Sequence, residues 1–144
     1  MKKNHETGFS LIEILTVIAI LSILAVIALR IYSNYLVKAQ AIAGVVVSSN
    51  ARVADTTWFT IKGTFQGATN ASLGLPTPSS INDKYITSVS VNNGIITVTY
   101  SKHTHKDLAG KTLVESPYIL GDAIYWSCQG STVDVKKYLK SFCG

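Results

Sequence analysis

The sequence of 144 residues is short of charge. Asp, Glu, Lys and Arg together make up 15% of it, against about 25% in an ordinary soluble domain. It has only two cysteines, Cys128 and Cys143, and no Cys-x-x-Cys pair. Neither a zinc ribbon nor a dithiol redox centre is therefore expected. Its three prolines all lie at or beyond Pro76, so nothing of that kind interrupts a helix in the first half. Internal repeats and low-complexity tracts are absent, as are a glycine-rich phosphate loop, a nucleophile–base arrangement and a catalytic acid pair. No enzyme and no cofactor is expected. His103-Thr104-His105 on a strand would place two imidazoles on one side of it, but two ligands without a third do not define a metal site, and a polar loop after Tyr100 is expected there. No metal is expected.

What is abundant is apolar. Hydrophobic residues reach 47%, which excludes a disordered tail. They concentrate between Phe9 and Leu29, where only Ser10, Glu13, Thr16 and Ser22 interrupt. A run of this length spans about 30 Å of hydrocarbon as a helix. It is too long for the apolar core of a secretory signal, and no A-x-A cleavage site follows it. Lys2 and Lys3 precede it and would stay on the cytoplasmic side. The rest of the chain then lies outside, where two cysteines form a disulfide. Pairing Cys128 with Cys143 closes a loop of about 15 residues, worth roughly 3 kcal/mol by chain entropy. The net charge is +5, which permits attraction to DNA or anionic surfaces without requiring it. Glu13 is out of place in the apolar run. An ionised carboxylate at a bilayer centre costs about 2.5–3.5 kcal/mol, so a positive partner in an assembled state is expected.

Gly8-Phe9-Ser10-Leu11-Ile12-Glu13, behind a short basic lead, resembles the processing site of type IV prepilins, the N-methyl-phenylalanine pilin family. The likeness continues through Tyr32, Tyr35, Lys38 and Gln40 and is of the type IVa major pilin precursor kind. The resemblance implies a cut between Gly8 and Phe9 by a prepilin peptidase, which also N-methylates Phe9. It implies that Glu13 pairs with the N-terminal amine of a neighbouring subunit. Two positions depart from the family pattern: Ser22 stands where many pilins have glycine, and Arg30 where many have proline. Both departures favour an uninterrupted helix.

After Arg30 the pattern turns amphipathic. Tyr32, Leu36, Ala39, Ala43, Val47, Ala51, Ala54, Trp58 and Ile61 step by three or four, which predicts one helical stripe. Gly63 is the natural stop. A single helix from Phe9 to Ile61 would be roughly 80 Å long. Residues 63–82, including Leu75-Pro76-Thr77-Pro78, read as a loop. Within it, Asn70-Ala71-Ser72 matches a glycosylation sequon. Tyr85–Val91 and Ile95–Tyr100 flank Asn92-Asn93-Gly94, a strong hairpin signal. Thr112–Glu115 and Ala123–Cys128 are further candidate strands. The expected fold class is α+β: a long N-terminal helix with a C-terminal antiparallel four-stranded sheet head. The expected organisation is a cleaved leader (1–8), a long helix with an apolar first half (9–62), and a head with a C-terminal disulfide loop (63–144).

The resemblance implies a structural subunit of a type IV pilus. It would be held in the inner membrane as a precursor, then polymerised with other pilin subunits by inner-membrane machinery into an extracellular pilus, or fimbrium, on the bacterial cell surface. Adhesion, twitching motility and DNA uptake are the implied activities. The alternatives are a minor pilin acting as a DNA receptor and a pseudopilin of type II secretion. Lys136, Lys137, Tyr138 and Lys140 form a candidate surface contact, since lysines suit phosphates and a tyrosine suits stacking.

Overall fold

The computed structural model describes residues 8–143. Residues 1–7 of the expected leader, Lys2 and Lys3 among them, lie outside that range, as does Gly144. The chain forms two compact units, the first ending at Tyr35 and the second beginning at Leu36.

Helix α1 runs Leu11–Val47. Ser10 and Glu13 start it: the Ser10 N–H donates to Glu13 Oε2 at 2.9 Å, and Glu13 N donates to Ser10 O at 3.1 Å. This is half of a capping box, in which an N3 carboxylate satisfies a backbone donor just outside the helix. The remaining polar side chains of the apolar run turn back on their own helix. Thr16 Oγ1 donates to Glu13 O at 2.8 Å and Ser22 Oγ to Ile18 O at 2.7 Å. Such bonds let hydroxyls sit in an apolar stretch. Every residue from Leu11 to Leu36 is exposed, and the helix is long and apolar enough to cross a membrane.

The expected single helix is interrupted once, at Ser48, and resumes as α2 (Ser49–Lys62). The cause is competition for one carbonyl. Ser48 Oγ and Arg52 Nη2 both donate to Val45 O, at 3.0 and 2.9 Å. Side chains inserted into the helical ladder break it locally. Helix α2 ends at Gly63, left-handed at φ 69°, whose N–H donates to Phe59 O.

Strands β1 (Ile86–Asn92), β2 (Ile95–Tyr100), β3 (Thr112–Leu120) and β4 (Ala123–Ser127) form an antiparallel meander in that order. The β1–β2 turn is Asn93-Gly94, both with positive φ, as the tight primed hairpin turns require. A register shift between Ile86 and Ser88 lets Ile86 and Val89, three apart, both face inward. Strand β3 runs beyond the expected Glu115 and includes Pro117. It pairs with β2 only as far as Glu115 and with β4 from Ser116 onward. Pro117 thus sits where β3 has a single neighbour, and a residue without an N–H is tolerated there.

The core joins Val37, Ala41, Val45 and Ala51 of the helices to Val89, Val98 and Leu113 of the sheet and to Leu139 of the C-terminal loop. The buried helical face differs from the expected stripe. Val37, Ala41, Gly44, Val45, Ser48, Ala51 and Asp55 face inward, whereas Tyr32 and Ile61 are exposed. Small residues made the wrong face look no less apolar than the right one. Gly44 marks the true face: a Cβ there would collide with the Tyr100 ring. The Tyr100 hydroxyl donates to Ala41 O at 2.5 Å.

Loop 63–82 lies along the outer edge of β1, joined by a Thr69–Asn92 bridge, so that edge is covered. Asn70 fastens it. Its amide Nδ2 donates to Pro76 O and Val89 O at 3.0 and 3.1 Å, and its Oδ1 accepts from Val91 N at 2.7 Å. The sequon asparagine is therefore a buried structural pin.

Candidate functional site

The N-terminal region holds three candidate residues on the surface of one unit. Gly8 has open space around it. Phe9 is 83% exposed, and the Glu13 carboxylate, also exposed, touches only Ser10 N among the described residues. The Gly8–Phe9 junction, where a cut is expected, lies open to solvent. Glu13 has one oxygen engaged and further lone pairs for a cationic donor.

The second region lies at the other end of the sequence. Cys128 and Cys143 form a disulfide with Cα atoms 5.3 Å apart. Within the closed loop, helix α3 (Val135–Tyr138) is capped by Asp134, whose carboxylate accepts from Lys137 N at 3.0 Å. Tyr138, expected to stack at the surface, is instead buried at 5% exposure. Its hydroxyl donates to Asp107 Oδ2 at 2.5 Å, and Lys137 Nζ lies 3.7 Å from the same oxygen. Tyr138 is a latch between the disulfide loop and loop 101–111. The hydrogen bond from Tyr138 holds the Asp107 carboxyl below its ordinary range, aided by His105, Lys137 and Lys106. Burial and the Asp107 carboxylate push the Tyr138 phenol up.

Lys136 and Lys140 remain exposed beside this latch. Lys111, which the sequence reading did not single out, lines a cavity with Asp107, Asp134, Lys137 and Tyr138, and Lys102 and Lys106 are exposed on the same loop. The density of cations between Ser101 and Lys111 is the signal in the sequence for them. The two histidines lie in the expected loop after Tyr100, with Thr104 buried between them. His105 Nδ1 accepts from Asp107 N at 3.3 Å. No group of three metal-type ligands occurs among the described residues.

A third cluster is internal. Glu115 on β3 is 2% exposed and lies 3.7 Å from Arg52 Nε. Burial pushes its carboxyl up, opposed by Ser48 and Arg52. Asp55 is fully buried, and neither of its oxygens has a hydrogen-bond partner among the described residues. Burial pushes its carboxyl up to about 6. The Arg52–Glu115 pair directs the guanidinium toward Val45 O and so fixes the helix interruption. None of these groups is arranged for bond-making chemistry.

Comparison with known proteins bears on both ends. Residues 37–144 match the family described as Pilin (bacterial filament), and residues 3–29 match the prokaryotic N-terminal methylation motif. The chain is similar to the fimbrial protein EcpC of Eikenella corrodens, 36% identical over 99% of this chain and 94% of that protein. It is similar to the type IV major pilin protein PilE of Neisseria gonorrhoeae, 34% identical over 85% of this chain and 74% of that protein. A fimbrial protein of Neisseria meningitidis serogroup B is 34% identical over 85% of this chain and 72% of its own.

Proposed function

The chain belongs to the type IV pilin family, and on that premise we propose that it is the repeating subunit of a surface pilus. Its precursor is held in the inner membrane by α1. Prepilin peptidase removes residues 1–8 and methylates Phe9, and the subunit then polymerises with its copies. Residues 9–62 supply the helix and residues 63–144 complete the head. The observation that carries this reading is the exposed apolar run Leu11–Leu29. Among the described residues no segment of its own unit covers that surface, so it needs lipid before assembly and other helices after it.

Glu13 gives the polymer its register. Cleavage creates an α-amino group with a pKa of about 7.7–8.0, mostly charged at neutral pH. In a dry helical core that amine and a neighbour's Glu13 are weakly screened. Desolvation offsets much of the attraction, so the pair contributes specificity more than stability. Adhesion, twitching motility and DNA uptake are the activities of the filament rather than of a catalytic centre. The fimbrial and major-pilin identities of the relatives, together with the Cys128–Cys143 loop, favour this reading over a secretion pseudopilin.

The test is intact-mass spectrometry of filaments sheared from the producing cell. The expected species starts at N-methylated Phe9, lacks two thiol hydrogens and dominates the preparation. Absence of the chain from sheared filaments, with the precursor processed in the membrane, would overturn the subunit reading in favour of a pseudopilin. A trace amount would make it a minor pilin and bring the DNA-receptor role forward.

A further inference from the structure

The outward face of the sheet changes character along β3. Side chains alternate across a strand, and over most of the sheet the outward positions carry hydroxyls: Ser88, Ser90, Thr97, Thr99 and Ser116. From Ser116 onward β3 pairs with β4 alone, and the two strands form a hairpin arm. No residue from Tyr118 to Tyr125 belongs to the core, so the unit is complete without the arm. There the outward positions become Tyr118, Leu120 and Tyr125, all exposed, Leu120 at 67%. The two tyrosine rings stack with centroids 5.6 Å apart. Ile119, on the opposite side, is exposed as well. Asp122 at the tip is the single charge between Ser116 and Ser127. A contiguous exposed apolar patch marks an interaction site. The same unit also carries an open cavity of about 400 Å³ on α2, lined by Ser49, Arg52, Val53, Thr56, Thr57 and Trp126. Its apolar walls are Val53 and Trp126. Its one charge is Arg52, which keeps 25% of its side chain exposed.

We propose that the β3–β4 arm of one copy docks into the α2 cavity of the next copy, head to tail. The inference rests on the subunit reading above. Leu120 and the tyrosine pair meet Val53 and Trp126, and Asp122 meets Arg52. Opposite charges placed across a contact fix its register. Arg52 is already held by Glu115 and Val45 O, so its exposed part is positioned for an incoming carboxylate. Arm and cavity are different patches of one chain. Their pairing is therefore heterologous and propagates from copy to copy, whereas a self-complementary patch closes a dimer. A repeating filament needs the propagating kind. The lysines of loop 101–111 would also attract Asp122, but that loop exposes no large apolar residue to receive Leu120.

Filaments carrying Leu120→Cys together with Thr56→Cys are sheared from the producing cell, oxidised with copper phenanthroline and separated without reductant. A ladder of multimers is expected, because each subunit gives one cysteine to the copy ahead and the other to the copy behind. Either substitution alone should leave monomers. Monomers from the pair, in filaments that contain the chain, would overturn the docking and leave the subunit reading standing. Dimers from Leu120→Cys alone would overturn it too, since they place arm against arm. Leu120→Asp gives a second readout that needs no added cysteine. Its sheared filament yield should fall about fivefold, as truncating an interface anchor does, while the denaturant midpoint of the membrane-extracted protein stays at the parent value. Leu120→Met should keep the yield. Parent-like yield from Leu120→Asp would overturn the docking. Absence of the parent chain from sheared filaments is the distinct result that removes the subunit reading, and this contact with it.

Discussion

The two units use polar side chains in opposite ways. In the apolar part of α1 every polar contact is local: Glu13 with Ser10, Thr16 with Glu13, and Ser22 with Ile18, all within four residues. In the sheet unit the decisive ones are remote. Asn70 reaches Val89, Tyr100 reaches Ala41 across 59 residues, and Gln40 Oε1 accepts from His105 N across 65. The first pattern satisfies a helix that has no fold of its own to join. The second ties separate segments into one core, where each buried polar group must find its partner. One unit is complete within its chain, while the other presents an apolar surface that only lipid or further copies can cover. A pilin divides its labour along this line.

Glu13→Ala is the sharpest way to break this contrast, and its effect should be the largest. In the assembled core the variant leaves an uncompensated amine, a loss of about 3–5 kcal/mol for a broken buried pair. Sheared filament yield is expected to fall by more than about tenfold, at 1.4 kcal/mol per factor of ten. The sheet unit should be untouched. Its denaturant midpoint and the processed mass, read on membrane-extracted protein, should match those of the parent. Normal filament yield would remove Glu13 from the assembly role. A shifted midpoint would show that the two units are not independent in this respect.

The same contrast explains what was legible in the sequence. The helical run, expected from Phe9 and found from Leu11, and the Asn93-Gly94 hairpin depend on local patterns that the sequence shows. So does the stop at Gly63, which caps α2. What failed depended on distance. The buried face of α1 packs on Tyr100, 59 residues from Ala41, and no periodicity within the helix reveals it. Asn70 looked like a loop asparagine because Val89 and Val91 are remote in sequence. The contact of loop 101–111 with the disulfide loop was not legible because the Tyr138–Asp107 latch joins segments 31 residues apart. Gly44→Ala tests this kind of long-range choice. The added methyl meets the Tyr100 ring, and overpacking of a filled core costs about 1–3 kcal/mol. The denaturant midpoint should fall accordingly. Tyr100→Phe in the same background should recover part of the loss, because it removes the hydroxyl nearest the new methyl. An unchanged midpoint in Gly44→Ala would mean that the ring does not pack on this face.

The smallest effect should come from Asp55, which, like Trp58 Nε1, departs from the rule that partners satisfy the buried polar groups among the described residues. Its buried carboxylate lacks one, and its folded pKa of about 6 exceeds the ordinary value of 3.8 because burial disfavours the charge. The folded state therefore binds the proton more tightly than the unfolded state. The stabilisation from that proton is full below the unfolded value and is lost as pH rises through about 6. Between pH 7 and pH 5 the sheet unit should gain about 1 kcal/mol, with Glu115, also raised, acting in the same direction. Below about pH 4 the trend should reverse, because Asp107, held low by Tyr138, then loses its charge. Asp55→Asn removes the titration, so urea melts at pH 5 and pH 7 should converge by most of that amount. An undiminished difference would move the pH dependence to Glu115, and would mean that Asp55 has found a partner in solution.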